Sequence, residues 1–249
     1  MAKGEVLDET GRRVDPQTAY RAGACIFYYR ELKDEKVIPY VEHVLYQDEH
    51  ILVADKPHFL PVIPSGRFLH QTLLVRLREK YDHEELAPIH RLDRETAGVV
   101  LFSVNPRTRN YYTSLFRNRK VTKVYEALAP TLDAAKFPIM RRSRIVRGEP
   151  FFRMKEVSGE ANSETAVTSI RNLGRNSLYQ LVPVTGRKHQ LRLHLAGLGI
   201  PIINDKLYPE LIRSDTDDFS SPLKLLAKSL SFQDPLTGQK HYFESDMKL

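Results

Sequence analysis

The segment His90-Arg91-Leu92-Asp93-Arg94-Glu95-Thr96-Ala97-Gly98 runs directly into the apolar stretch Val99-Val100-Leu101-Phe102. Such an apolar stretch predicts a buried strand, so the backbone of Asp93 is expected to be held firmly near the edge of a sheet. Two arginines and a histidine surround this carboxylate in the sequence, and nearby positive charge favours its anionic form. The segment therefore predicts either a nucleophilic or charge-stabilising carboxylate, or a surface ion pair that caps a strand.

Three further segments carry chemistry in the same order along the chain. They are Asp48-Glu49-His50 to Asp55-Lys56-Pro57, then Lys123-Val124-Tyr125-Glu126-Ala127, and then Thr185-Gly186-Arg187-Lys188-His189-Gln190-Leu191-Arg192-Leu193-His194-Leu195 with Pro201 and Asn204-Asp205-Lys206-Leu207-Tyr208. Together with the Asp93 segment, they resemble the signature of the RluA family of RNA pseudouridine synthases. The resemblance extends from about Val44 to the C-terminus, and it implies the pseudouridine synthase fold.

Composition is consistent with a globular protein that binds a polyanion. The chain has 249 residues, 41% of them hydrophobic, and a formal net charge of +7. This length predicts one large domain or one domain with a small appendage. A basic balance suits RNA, although a basic protein that is merely soluble has the same charge.

The single cysteine, Cys25, excludes an intramolecular disulfide and is expected to be a small buried hydrophobe. No stretch approaches the roughly 20 apolar residues that cross a bilayer, and the N-terminus lacks a secretory-type apolar segment. We therefore expect a cytoplasmic protein without a membrane partner, and a monomer.

The periodicity of apolar residues predicts an α+β fold. Helical spacing predicts an amphipathic helix over 69–81, and Asn105-Pro106 is a good start for a helix that runs to about Arg119. A third helix is predicted over 187–196. Strands outnumber helices without regular alternation, which favours a mainly antiparallel mixed sheet flanked by helices. The predicted strands are 51–54, 99–104, 121–129, 165–171 and 177–184.

The domain organisation is expected to be simple. Residues 41–249 should form the catalytic domain, and residues 1–40 a short N-terminal extension. Some members of the family carry a small RNA-binding domain ahead of the catalytic one. The extension looks too short to hold a complete copy of that domain.

The resemblance implies three catalytic residues. Asp93 would be the catalytic carboxylate, acting on the base, on the sugar or by assisting cleavage of the glycosidic bond. Arg187 would hold Asp93 in a bidentate ion pair. Without the resemblance, Arg187 would be interpreted as a phosphate contact or a surface charge at the start of a helix. Tyr125 would stack on a flipped base and take part in proton transfer, whereas a half-buried tyrosine on a strand is otherwise ordinary core.

The resemblance also implies that Arg91 enters the space left by the flipped base, with packing or a phosphate contact as the alternative. Leu225 and Leu226 would make an apolar contact below the active-site tyrosine. Family members often have a histidine after the paired leucines, and here Ala227 stands in that place.

Several basic or polar residues are predicted to bind RNA. His90, His189 and Gln190 are candidates beside the catalytic motifs, and His189 and Gln190 are expected to hydrogen-bond the loop or the RNA backbone rather than a metal. His189 and His194 are five residues apart, which does not bring two ligands together on a helix. Basic residues interleaved with aromatic ones over 141–155 also suit phosphates and unpaired bases. The candidates there are Arg141, Arg142 and Arg144, and a second basic segment covers 107–123.

No cofactor or metal is expected. The pseudouridine formation that the resemblance implies needs no redox step, and the chain contains no glycine-rich phosphate loop. The predicted function is therefore isomerisation of uridine to pseudouridine in structured ribosomal or transfer RNA. One alternative is a catalytically silent RNA-binding or ribosome-assembly factor with the same fold. Another is a hydrolase with Asp93 as nucleophile, which would need a second carboxylate opposite it.

Overall fold

The computed structural model describes residues 6–28, 35–133, 136–212 and 217–249. The chain forms two compact units, Met1–Glu35 and Lys36–Leu249. The first contains the antiparallel strands β1 (Val6–Asp8) and β2 (Ile26–Tyr28), and Cys25 beside them is exposed, so the expectation of a buried cysteine is wrong. The second unit begins five residues before the predicted boundary at 40/41, and Ile38 is already buried in its core.

A mixed sheet forms the second unit. Its order is β3-β4-β6-β12-β7-β11-β10-β8-β9, with β5 added to β6 and β13 added to β12. The β6–β12 pair is parallel, whereas the other pairs are antiparallel, as the sequence predicts. The strands are β3 His43–Gln47, β4 Ile51–Lys56, β5 Ala87–Pro88, β6 Ala97–Ser103, β7 Thr122–Pro130, β8 Ile139–Arg147, β9 Met154–Val157, β10 Ser163–Asn172, β11 Asn176–Pro183, β12 Leu225–Gln233 and β13 Lys240–Glu244.

Within the described residues, three α-helices cover the sheet: α1 Leu73–Tyr81, α2 Arg109–Arg117 and α3 Gln190–Gly197. The first two pack on opposite faces of β4 and β6. Leu77 of α1 is buried in the same cluster as Leu52, whereas Tyr112 of α2 is buried with Ile51. Adjacent strand residues point to opposite faces, so β4 and β6 are buried on both sides. No helix in the described part of the chain is long and apolar enough to cross a membrane.

Helices α1 and α2 both begin later than predicted. Thr72 accepts a hydrogen bond from the Val75 backbone N–H, at 3.4 Å, so α1 starts at Leu73 and leaves Leu69 outside. Asn105 accepts from the Arg107 N–H at 2.9 Å, as expected of a cap, but the residues that follow form a turn before α2 starts.

A glycine sets the position of the strand that follows Asp93. Gly98 has φ +112°, and a Cβ added there would lie 2.2 Å from the carbonyl oxygen of Ala227 on β12. No other residue type fits this approach of the two parallel strands without displacing backbone. The turn that carries Asp93, closed by the Thr96 N–H bonded to the Asp93 carbonyl at 3.1 Å, is thereby tied to the middle of the sheet.

A fully buried lysine holds the same turn from the other side. The Lys56 ammonium donates to the carbonyl oxygens of Pro57, Leu60 and Arg94 at 2.9, 2.7 and 3.1 Å. The three N–H donors of the Lys56 ammonium thus each have a carbonyl acceptor, so the side chain is fully hydrogen-bonded although it is 0% exposed. The lysine fixes the backbone one residue beyond Asp93.

Replacing Lys56 with methionine is expected to lower the free energy of unfolding by about 2 kcal/mol, because three buried carbonyl oxygens would lose their donor. Urea unfolding measures the change. Lys120→Met, at an exposed position, is the control and should stay within about 0.5 kcal/mol of wild type. An unchanged unfolding midpoint in Lys56→Met would contradict this scaffolding role.

Candidate active site

The sequence segments that contain Asp93, Tyr125 and Arg187 meet at one cleft. The cleft has a volume of about 1040 Å³ and is lined by the segment around Asp93, by the end of α2 with β7, and by residues 183–192. Asp93 is the one acidic side chain among its described lining residues. Its side chain is 27% exposed, so the carboxylate is accessible from the cleft.

Two side-chain nitrogen atoms approach the Asp93 carboxylate without binding it closely. Nη1 of Arg192 lies 3.6 Å from Oδ2, and Nε2 of His189 lies 3.9 Å from Oδ1. Both distances exceed a hydrogen bond. The carboxylate therefore faces positive charge while its oxygens stay free to react.

Arg192 is held by a second, buried carboxylate. Its Nε and Nη2 donate to the two oxygens of Asp205 at 2.8 and 2.6 Å, in bidentate geometry. Burial disfavours the guanidinium charge, but Asp205 and then Asp93 outweigh it, so the pKa of Arg192 is raised above its usual value. The side chain is a permanent cation at 2% exposure.

The predicted ion pair between Arg187 and Asp93 is wrong, because Arg192 takes that place. Helix α3 begins at Gln190 rather than at 187, since His189 has a left-handed backbone with φ +57°. Arg187 thus precedes the helix and is exposed at the cleft, where its Nε donates to the Asn162 carbonyl at 3.2 Å. A charged residue inside the apolar stretch 191–195 was the available signal for a buried, paired arginine.

Tyr125 lies on β7 with its ring in the cleft, packed against the core cluster that contains Leu225. Burial, and then the charge of Asp93, raise the pKa of the Tyr125 hydroxyl, so it remains a protonated phenol. Leu225 lines the cleft as expected. Leu226 is opposite Glu126 in the strand register, on the other face from Tyr125, and it does not line the cleft.

The two histidines beside Asp93 are neutral at physiological pH. Burial lowers the pKa of His90 to about 3 and that of His189 to about 4. His90 accepts the Leu101 backbone N–H at 3.1 Å and stacks on Phe116 at 4.7 Å, so it packs the cleft wall. Nδ1 of His189 forms a hydrogen bond with the Tyr208 hydroxyl, at 2.7 Å.

Gln190, predicted to bind RNA, has its amide group fully engaged inside the protein. Its oxygen accepts from the Thr185 hydroxyl at 2.7 Å and from the Arg187 N–H at 3.0 Å. Its nitrogen donates to the Glu164 carbonyl and to the Thr165 hydroxyl at 3.0 and 2.9 Å. Gln190 closes the turn before α3, which is a structural role.

Arginines and lysines surround the opening of the cleft. Arg91 is exposed there, two residues before Asp93 in the chain. Arg67 and Arg94 are paired with Asp217, at 2.7 Å each. The cationic lining residues are Arg67, Arg91, Arg94, Arg117, Arg119, Lys123, Arg187, Lys188 and Arg192.

The arginines predicted on 141–144 lie on β8, outside the cleft. Arg141 is half-buried and pairs with Glu156 at 2.5 Å. Arg142 is exposed and pairs with Glu164 at 3.1 Å, and Arg144 is exposed. The structure therefore presents Arg142 and Arg144 to solvent on a separate surface.

Replacing Arg192 with glutamine is expected to lower the free energy of unfolding by about 3 kcal/mol, because it leaves the Asp205 carboxylate buried without a countercharge. Arg187→Gln is the matched control at an exposed position and should stay within about 0.5 kcal/mol of wild type. Denaturant unfolding of both variants tests the assignment. Equal destabilisation would contradict it.

Comparisons with known proteins agree on one family. A family model described as RNA pseudouridylate synthase matches residues 50–197. An uncharacterised RNA pseudouridine synthase of Synechocystis is 31% identical, over 81% of this chain and 70% of that protein. The dual-specificity RNA pseudouridine synthase RluA of Vibrio vulnificus is 32% identical, over 83% of this chain and 82% of its own.

A solved structure supports the same conclusion. Human RNA pseudouridylate synthase domain containing 4 superposes with a TM-score of 0.65 at 26% identity, over 82% of this chain and 88% of that one, which confirms the expected fold. Two mammalian pseudouridylate synthases are 34% and 35% identical, and the chain spans 30% of their length. With relatives of the RluA type aligned over most of both sequences, this chain belongs to the RNA pseudouridylate synthase family.

Proposed function

We propose that Asp93 is the carboxylate that isomerises uridine to pseudouridine at defined positions of a structured RNA. The reaction breaks the bond between N1 of uracil and C1′ of ribose, turns the base, and joins C5 to C1′. The proton leaves C5 and N1 gains one, so atoms balance without an oxidant or a cofactor. The observation that carries the proposal is the accessible Asp93 carboxylate beside the buried Arg192 cation.

Tyr125 and Leu225 supply the apolar side of the same cleft. A flipped uracil can stack on the Tyr125 ring, with Asp93 at the other side of the sugar. The pKa of the Tyr125 hydroxyl, raised by burial and by Asp93, keeps its proton available as a hydrogen-bond donor near the base. As a neutral phenol Tyr125 cannot accept the proton that leaves C5, so we assign it stacking on the base and hydrogen bonding to it.

The cations around the opening suit the RNA backbone. Arg91, Arg117, Arg119 and Lys188 have no ion pair with any described residue, and all four are exposed. Exposed, unpaired cations around a concave site attract phosphates and bring the nucleotide to the cleft. Arg91 lies two residues before Asp93 and lines the same cleft, which suits the proposed entry of its side chain into the space that the flipped base leaves.

The β8–β9 hairpin is proposed as a second RNA contact. Its turn carries Phe151, which is 88% exposed, with Phe152 at 5.6 Å between ring centroids. Exposed arginines Arg142, Arg144 and Arg147 lie on the adjoining strand. Aromatic rings that stack on unpaired bases, next to cations that contact phosphates, are typical of RNA-binding surfaces.

The geometry weighs against both alternative functions. A silent RNA-binding descendant has no need for Asp93, Tyr125 and Arg192 to share one accessible cleft. A glycosidic hydrolase needs a second carboxylate across the cleft. Glu95 does not line the cleft, and instead it pairs with Arg94 at 2.5 Å.

Replacing Asp93 with asparagine is expected to abolish isomerisation and to leave RNA affinity within a few fold, since the side-chain size is kept and the charge is lost. The assay measures tritium released from RNA labelled at C5 of uridine, using RNA from cells that lack the gene. Glu95→Gln, two residues away, is the control and should retain activity. Near-normal turnover in Asp93→Asn would refute the assignment.

We expect the triple change of Arg142, Arg144 and Arg147 to glutamine to weaken the salt dependence of RNA binding. The slope of log affinity against log salt concentration should become shallower by about 2–3, because each phosphate contact contributes about 0.7–0.9 to it. Filter binding at several salt concentrations measures it. Arg171, Arg175 and Lys240 changed together provide a charge-matched control. An unchanged slope would contradict the proposed contact between the β8–β9 hairpin and RNA.

Mapping pseudouridine in cellular RNA with and without the gene identifies the target, which we propose to be ribosomal or transfer RNA. The cytoplasmic location and the monomeric state stay predictions.

A further inference from the structure

Tyr208 is a buried tyrosine that is 3% exposed and lies behind His189, on the side away from Asp93. Its hydroxyl oxygen accepts the backbone N–H of Met154, the first residue of β9, at 2.8 Å. The same hydroxyl lies 2.7 Å from Nδ1 of His189. We propose that Tyr208 is a positioning residue that fixes His189 in one tautomer, with the Nε2–H directed at Asp93.

The donors and acceptors around the Tyr208 hydroxyl determine where its proton goes. Met154 already donates to the Tyr208 oxygen, so the hydroxyl proton must find an acceptor of its own. Among the hydrogen bonds of the described residues, Nδ1 of His189 is the atom that can accept it. A proton on Nδ1 would instead leave the tyrosine hydroxyl proton buried and unpaired, which native structures avoid.

The charge state of both groups allows this arrangement. Burial lowers the pKa of His189 to about 4, so the imidazole carries one proton near neutral pH. Burial raises the pKa of Tyr208, so its hydroxyl keeps its proton. With Nδ1 as the acceptor, the single imidazole proton lies on Nε2.

The consequence is that a neutral donor faces the carboxylate. Nε2 lies 3.9 Å from Oδ1 of Asp93, so a movement of about 1 Å would make a hydrogen bond. Arg192 approaches the other oxygen, Oδ2. Tyr208 thereby determines which of the two histidine nitrogens presents a proton to Asp93.

The inference deepens the proposed function, because it assumes that Asp93 is the reacting carboxylate, but its first test needs no RNA. The protein is labelled with ¹⁵N-histidine, and a long-range ¹H–¹⁵N spectrum at pH 7 distinguishes the two neutral tautomers. His189→Asn identifies the His189 signals by their loss. Wild type is expected to show His189 with the proton on Nε2, and a proton on Nδ1 would overturn the inference even if Asp93 proves catalytic.

Tyr208→Phe removes the hydroxyl and keeps the ring, which packs edge-on to His189 at 5.6 Å. We expect its His189 signals to shift towards the other tautomer or a mixture, and unchanged signals would also overturn the inference. Tyr179→Phe is the matched control. Its buried hydroxyl likewise accepts a backbone N–H, from Leu132 at 2.9 Å, and donates to the Pro130 carbonyl at 2.8 Å.

The kinetic readout separates positioning from general loss of structure. In Tyr208→Phe we expect kcat to fall about tenfold with KM unchanged, similar to the loss of an outer partner of a metal-bound histidine. Tyr179→Phe should keep both constants. A rise in KM with kcat unchanged would show that Tyr208 supports RNA binding only, and would refute its role towards Asp93.

Discussion

The buried pair of Arg192 and Asp205 organises the rest of the active site. Asp205 accepts both guanidinium donors and also the backbone N–H groups of Leu207 and Tyr208, at 2.8 and 3.1 Å. One carboxylate therefore fixes the rotation of α3 and the turn that carries Tyr208. Since an unpaired charge in this position is strongly unfavourable, the two segments must fold together.

Much of the fold was predictable because burial leaves a simple pattern in the sequence. Strands β4, β6, β7, β10 and β11 lie where apolar periodicity predicts them. Strand β8 was not predicted, because Arg141, Arg142, Arg144 and Arg147 dilute its alternation, and a basic segment of this kind also suits a surface loop. The domain boundary differs by five residues, since Ile38 packs into a core that local sequence does not reveal.

The site was predicted at the level of motifs and only partly at the level of atoms. Asp93 and Tyr125 do meet in one cleft, but the arginine beside Asp93 is Arg192 and not Arg187. A single backbone angle decides between them: the left-handed conformation of His189 starts the helix at Gln190 and turns Arg187 outward. The amide of Gln190 closes that turn with four hydrogen bonds, and pairings of this kind depend on tertiary contacts with β10.

The two carboxylates around Arg192 have different roles because of their distances. Asp205 binds the guanidinium at 2.6 and 2.8 Å, whereas Asp93 lies 3.6 Å from the remaining Nη1. A carboxylate in tight bidentate contact has its lone pairs committed to hydrogen bonds and is a poor nucleophile. By occupying the strongest donors of Arg192, Asp205 leaves Asp93 close to the positive charge but without a hydrogen bond to it, as the proposed role of Asp93 requires. The neutral His189 completes the arrangement, since a second cation at that position would bind Asp93 tightly and oppose the role proposed for it.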